Sequence, residues 1–259
     1  MDKILLSVLL ISLLVSISGS LAIFRKASFL IAGVAHSALA GVALSILLSS
    51  IGINNDYFIL AISFAVVFAI LASFASKFSD IDTGIAISFA LSMSLAVIFI
   101  SMIRNLSTKV WAFLFGELFL ITMQDLIYLS FSAIVVILIF GALYDKFLFF
   151  LFDPEGAEAS GINSKLLDLI LVAIIAISVV AVIRAVGAIL AYSIFVAPCA
   201  IARDFSRSIT QNIILSFLIA FASLILGISI AFFVPISASA LGAFIASGFY
   251  LITLFIKNS

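Results

Sequence analysis

The sequence predicts an all-α membrane protein. The expected fold is a polytopic helical bundle of about nine transmembrane helices, eight to ten at the limits of the run boundaries, plus one short re-entrant or interfacial helix. Three observations carry this. The 259 residues are 66% apolar and only 9% charged, with a mean hydropathy of +1.48, whereas a soluble domain carries about 25% charged residues. Apolar runs long enough to cross a hydrocarbon core recur from end to end,. Those runs are about twice the length of a membrane strand and do not alternate polar with apolar, which argues against a barrel.

The runs cover residues 4–23, 27–51, 57–76, 85–103, 126–150, 166–183, 186–202, 213–233 and 238–256. The first is too long for the apolar core of a signal peptide, and its basic pair follows it, so it is expected to remain as a span. Residues 110–122 are apolar but too short to cross, and they contain Gly116 and Glu117; this is the re-entrant or interfacial piece. Nothing in the composition separates a second domain, so residues 1–259 read as one transmembrane domain.

Charge placement orients the bundle. With the N-terminus outside, the cytoplasmic ends hold Arg25, Lys26, Lys77, Lys146, Lys165, Arg203, Arg207 and Lys257, and the outer ends hold Lys3, Arg104, Lys109 and Arg184. Cytoplasmic loops favour Lys and Arg, so the prediction is N-out, C-in. That orientation requires residues 110–122 not to cross.

Composition also removes function classes. Formal net charge is zero, so no basic surface for nucleic acid is predicted. The single cysteine, Cys199, forms no internal disulfide and sits next to Pro198 in an apolar segment,. No hydrophilic block is large enough to be a nucleotide-hydrolysing domain, and no Walker-type phosphate loop occurs,. The chain is therefore expected not to be an enzyme, and to take energy from a partner chain or an ion gradient.

Residues 24–44, FRKASFLIAGVAHSALAGVAL, hold the one histidine, His36, behind the basic pair Arg25 and Lys26. At about 1.5 Å per residue, ten helical residues put the imidazole roughly 15 Å inside a core about 30 Å thick. An ionisable, metal-capable group at that depth points to a functional site. The alternative is a neutral ring donating to a neighbouring carbonyl.

Two further loops stand out. Asp153-Pro154-Glu155 has the pattern of a helix start, an Asp cap with Pro at the first position,. The stretch ARDFSRSITQN, residues 202–212, alternates charge around one aromatic directly after the Pro198-interrupted helix. Its residues Ala202, Arg203, Asp204, Phe205, Ser206 and Arg207 suit insertion into a groove of another protein, with a solvated turn as the alternative. Asp80 and Asp82 precede a helix and read as caps, with an ion-binding role as the alternative,.

Taken together, these stretches resemble the permease subunits of metal-ion ATP-binding-cassette importers, the cation ABC-3 family. The similarity runs through Arg25-Lys26, Ala35-His36-Ser37 and Gly41-Val42-Ala43, then Ser79-Asp80-Ile81-Asp82-Thr83-Gly84-Ile85. It continues through Leu114-Phe115-Gly116-Glu117, Asp125-Leu126, Asp153-Pro154-Glu155-Gly156-Ala157, and Val186-Gly187-Ala188 on to Pro198, Ala202 and Arg203. Each motif is weak alone, but their order and spacing span the whole chain.

The resemblance implies a bundle like that of vitamin B12 and siderophore importer permeases, set in a prokaryotic cell membrane. Two copies would surround one path, with cytoplasmic ATP-binding subunits below and an external solute-binding protein above. The transported species would be a divalent transition metal, zinc foremost, then manganese or iron, with no permanently bound cofactor. His36 would lie on the translocation path. Glu117 and Asp125 fall near the outer end, where they can attract cations or act as ordinary surface acids. Arg184, also outside, is a candidate contact for the delivery protein. The loop holding Arg203 and Arg207 would receive the ATP-binding subunit.

The chain departs from the family pattern where an acid one helical turn before the histidine is replaced by Ala32, and where Leu39-Ala40-Gly41 and Val234-Pro235-Ile236-Ser237-Ala238 stand in for proline–glycine turns. These departures leave a degenerate paralogue as one alternative. An ion-coupled secondary carrier is another, disfavoured because no acid occupies the middle of a long run,. A membrane assembly protein is a third.

Overall fold

The computed structural model describes residues 2–53, 55–75, 81–103 and 108–257. Among these the chain is helical and contains no strand. In lipid a backbone must satisfy its own polar groups, and a helix does this within one segment.

Nine helices are long and apolar enough to cross a membrane among the described residues. In order they are α1 (Asp2–Phe24), α2 (Leu30–Ser50), α3 (Tyr57–Ala75), α4 (Ile81–Met102), α6 (Met123–Ala142), α9 (Ser164–Val186), α10 (Ala188–Phe205), α11 (Ile209–Ala231) and α12 (Ala238–Lys257). Between them lie three short helices, α5 (Thr108–Phe115), α7 (Tyr144–Phe152) and α8 (Pro154–Ala159), and a 3-10 turn, Leu118–Leu120. The expected short segment thus becomes α5 plus the 3-10 turn, neither long enough to cross,.

The run expected as one helix over 126–150 is instead two. The chain breaks at Leu143, which closes α6 with its N–H on Ile139 O. Tyr144, Asp145 and Lys146 follow immediately. Tyr144 Oη shares a 2.5 Å hydrogen bond with Thr210 Oγ1 at the start of α11, so the polar residues stay at the bundle's end and α7 turns off. Asp153 then caps α8 as its sequence predicts, its carboxylate accepting from Gly156 N at 2.9 Å. Asp80 and the side chain of Asp82 lie outside the described residues, so their expected capping is not addressed.

Helices α1, α2 and α9 form the enclosed centre, and α4 and α12 are the least covered spans. Small residues set the close approaches. A Cβ added at Gly41 on α2 would sit 2.5 Å from Leu60 O on α3. At one end Gly116 (φ +62) and Gly187 (φ +92) meet backbone to backbone, and a side chain on either would strike the other's strand of chain. Polar ties within the centre are neutral. Ser18 donates to Ser178 at 2.5 Å, and Ser20 to Asn212 Oδ1 at 2.6 Å. Asn212 Nδ2 in turn donates to Cys199 O at 3.2 Å.

The two ends of the bundle differ. One, the basic end, gathers Arg25, Lys26, Lys146, Lys165, Arg203 and Arg207 at helix ends and loops. The opposite end carries Asp56, Asp125 and Arg184.

Candidate functional site

Helix α2 begins at Leu30, three residues later than the apolar run suggests, because residues 25–29 form a turn with Lys26 at φ +59. His36 is therefore the seventh residue of a 21-residue helix, about 9 Å along its axis from Leu30 and about 6 Å short of the helix midpoint, on the basic-end half. Its ring is half-buried. Nδ1 lies 2.9 Å from Ala32 O. A carbonyl oxygen brings no proton, so this bond requires the hydrogen on Nδ1. In the neutral ring the lone pair then resides on Nε2, and the backbone bond fixes the ring's orientation. The carbonyl-bonded alternative and the metal-capable one are thus compatible: the same bond that satisfies Nδ1 presents Nε2.

Phe89 on α4 packs edge-on to the imidazole, 5.0 Å between centroids. Phe29 reaches Phe89 at 5.3 Å and Tyr192 on α10 at 6.0 Å. Tyr192 also lines a crevice of about 540 Å³ at the basic end, together with Lys26, Ser28, Arg203, Asp204 and Tyr250. Among the described residues no three His, Cys, Asp or Glu side chains converge as a metal cluster.

At the opposite end Asp125 is buried, and its carboxylate is fully engaged. Oδ1 faces Arg184 Nε at 3.0 Å and accepts from Tyr57 Oη at 3.2 Å. Oδ2 accepts from Thr122 N and Oγ1 at 2.8 and 2.5 Å, which closes a capping box at the start of α6,. Arg184 also stands 5.5 Å over the Tyr57 ring and 5.7 Å over Phe113,. Asp56 accepts from Tyr128 Oη at 2.6 Å and Phe58 N at 2.8 Å. Glu117 caps the 3-10 turn, accepting from Phe119 N at 3.4 Å. Asp125 and Arg184 thus neutralise each other, and this pairing draws both inward from an outer surface.

At the basic end, Arg25 forms a two-pronged bridge to Asp168 on α9, Nε to Oδ1 at 2.6 Å and Nη2 to Oδ2 at 2.8 Å, and Ser73 on α3 donates to Oδ2 at 2.5 Å. The stretch expected as a loop from residue 202 is mostly helix: Ala202, buried, and the exposed Arg203, Asp204 and Phe205 form the last turn of α10, and only residues 206–208, with Ser206 partly covered and Arg207 exposed, make the turn into α11. Beside this turn, α7 and α8 expose Phe149, Phe152, Asp153, Glu155 and Glu158. The Tyr144–Thr210 bond joins the two surfaces.

Phe29, Phe89, Tyr192 and Asp168 are the site residues that sequence reasoning passed over. Asp168 carried a signal, since an acid inside an apolar run needs a partner. The aromatics, three of many, carried none.

The model of the ABC-3 family, described as the ABC 3 transport family, matches residues 1–257. The chain is 27% identical over 251 residues to "High-affinity zinc uptake system membrane protein ZnuB" of Haemophilus influenzae, covering 97% of this chain and 95% of that one. It is 28% identical over 254 residues to "Manganese transport system membrane protein MntC" of Listeria monocytogenes, covering 97% and 89%. Among solved structures it resembles PsaBC from Streptococcus pneumoniae in complex with Fab, with a TM-score of 0.86 at 25% identity over 98% of this chain and 91% of that one.

Proposed function

This chain belongs to the ABC-3 transport family, and on that premise we propose that it is the membrane permease of an importer for a divalent transition metal, driven by ATP hydrolysis on a partner subunit. The observation that carries the proposal is His36: a half-buried ring whose Nδ1 is held by Ala32 O, which leaves the lone pair on Nε2 as a nitrogen donor. Relatives named for zinc and for manganese uptake support the cargo class. Zinc is the first choice, because a lone imidazole without a carboxylate suits it better than it suits manganese. One weak donor also suits transit, since the ion must leave again.

The remaining assignments follow from this reading. Two copies enclose the path, each contributing a His36. The basic end faces the cytoplasm of a prokaryotic cell, with the N-terminus outside. A solute-binding protein delivers the ion at the opposite end. There the Glu117 carboxylate serves as a cation lure, while Asp125, balanced by Arg184, contributes shape and not net charge. ATP-binding subunits dock on the end of α10 and the turn that follows it, Ala202 to Arg207. The α7–α8 surface, joined to that turn through Tyr144 and Thr210, widens the dock with Phe149, Phe152, Glu155 and Glu158.

The test is metal uptake by cells expressing the complete importer with His36→Ala. Zinc uptake should fall by at least about tenfold, roughly 1.4 kcal/mol of lost coordination, with membrane levels of the protein unchanged. Uptake at the parental rate removes His36 from the path.

A further inference from the structure

Three rings stand in series between His36 and the basic-end crevice. Phe29, the N-cap residue of α2, and His36 are seven residues apart, two helical turns or about 10 Å, and so lie on the same side of that helix,. Phe89 bridges them from α4, at 5.3 Å from Phe29 and 5.0 Å from the imidazole. Gly33 lies between them, and a Cβ built there would stand 3.9 Å from that of Phe89, an ordinary contact distance. The last ring, Tyr192, meets Phe29 at 6.0 Å and forms part of the crevice wall. Phe29 and Tyr192 remain 40% and 37% exposed, so this chain of rings is not sealed core.

We propose that Phe29, Phe89 and Tyr192 form an aromatic gate that separates the His36 position from the crevice at the basic end, and that movement of α10 opens it. The proposal rests on the reading that the ion passes His36. An apolar constriction blocks ions by excluding the water they travel with. An ion held at Nε2 then meets three ring edges before it reaches the polar crevice.

The α10 helix is built to move its ring. It starts at Gly187, whose φ of +92 makes a break with α9. It contains Pro198, which has no N–H to offer the carbonyl of Ile194,. Tyr192 lies between these two weak points. Beyond Pro198 the helix ends in the exposed Arg203, Asp204 and Phe205. A load applied at that end can therefore swing the Tyr192 segment without unfolding the helix.

The experiment is thiol accessibility in the assembled importer. Cys199 is the only native cysteine, so Cys199→Ala with His36→Cys gives one reporter behind the rings. Inverted membrane vesicles are treated with a membrane-impermeant methanethiosulfonate, and the labelling rate is compared with and without Phe29→Ala and Tyr192→Ala. Truncating both rings should raise the rate at least tenfold. Tyr192→Phe, which keeps the ring, should leave it unchanged. If the alanine variants fail to assemble, Phe29→Leu with Tyr192→Leu keeps apolar bulk and should still raise the rate severalfold. An unchanged rate in a truncated, assembled variant overturns the gate. Failure of the ion path reads out separately: accelerated labelling alongside normal zinc uptake by His36→Ala keeps the gate and discards the path.

Discussion

Removal of Arg25 should be among the most damaging single changes in the bundle, and removal of its partner together with it among the milder double changes. Arg25 closes α1, Asp168 sits in the second turn of α9, and Ser73 lies near the end of α3. Both charged side chains are largely withdrawn from solvent, at 14% and 18% exposure, and two short contacts of 2.6 and 2.8 Å align guanidinium and carboxylate. With Arg25→Met, the Asp168 carboxylate keeps only the Ser73 hydroxyl as a described donor. An enclosed charge left without its partner costs about 3–5 kcal/mol. Asp168→Asn is gentler, because an amide still accepts from the guanidinium; the loss of charge assistance is worth about 1–2 kcal/mol.

The double change Arg25→Met with Asp168→Leu removes both desolvated charges, and such replacements are often neutral to within about 1 kcal/mol. Coupling should then amount to several kcal/mol. The assay is a double-mutant cycle on unfolding by sodium dodecyl sulfate in mixed micelles, followed by circular dichroism. Should the two single effects add to within about 0.5 kcal/mol in the double variant, the pair is not a pin and the reasoning fails.

Two other expectations come from the same structure. Gly187→Ala places a side chain at φ +92 with Phe115 C only 2.4 Å away, so it should cost about 1–2 kcal/mol for the backbone and a further ~1–3 for overpacking. Gly161→Ala (φ +81, open space) should show the backbone part alone, and equal losses at the two sites would refute the contact. Charge reversal by Arg203→Glu with Arg207→Glu should weaken co-purification of the ATP-binding subunit by about 2 kcal/mol or more, roughly 30-fold, and lower permease-stimulated hydrolysis in parallel. Undiminished assembly would move the dock to α7 and α8.

How much of this was legible in the sequence depends on the range of the force involved. The nine spans were readable because a lipid-exposed backbone must close its own hydrogen bonds segment by segment, which writes the constraint into each run. Asp153-Pro154 forecast α8 for a similar reason: cap and helix are neighbours in the chain. The break at Leu143 was marked in the sequence only by Asp145 and Lys146 inside an otherwise apolar run, and the bond from Tyr144 to Thr210 on another helix shows where the chain turns off. The charge pairs were beyond reach as well. Arg25 and Asp168 are 143 positions apart, and the loop count used Arg25 as a free surface cation. Arg184 and Asp125, each assigned its own role at the outer end, turn out to be partners. His36 was conspicuous because it is the single histidine, whereas Phe29 and Phe89 are two of 27 phenylalanines.

The distribution of polar atoms bears on why His36 and not another residue carries the functional argument. Charges sit near the two ends of the bundle, and four of them are tied in two pairs there, Arg25 to Asp168 and Arg184 to Asp125. The interior is bridged by neutral hydroxyl and amide contacts, such as Ser18 to Ser178 and Ser20 to Asn212. Two buried hydroxyls, Ser132 and Ser223, have no partner among the described contacts, yet a helical serine can turn back onto a carbonyl one turn earlier, as Ser12 does onto Val8 O,. The imidazole has no such retreat. Its first nitrogen already holds the carbonyl of Ala32, and a rigid ring cannot fold its second nitrogen back onto the same helix. That nitrogen must find its partner outside α2, on a ring that packs against Phe89 of α4 and is linked through Phe29 to Tyr192 at the crevice wall. In the proposed permease, a metal ion in transit supplies that missing partner and then releases it, as passage of a weakly held cation requires.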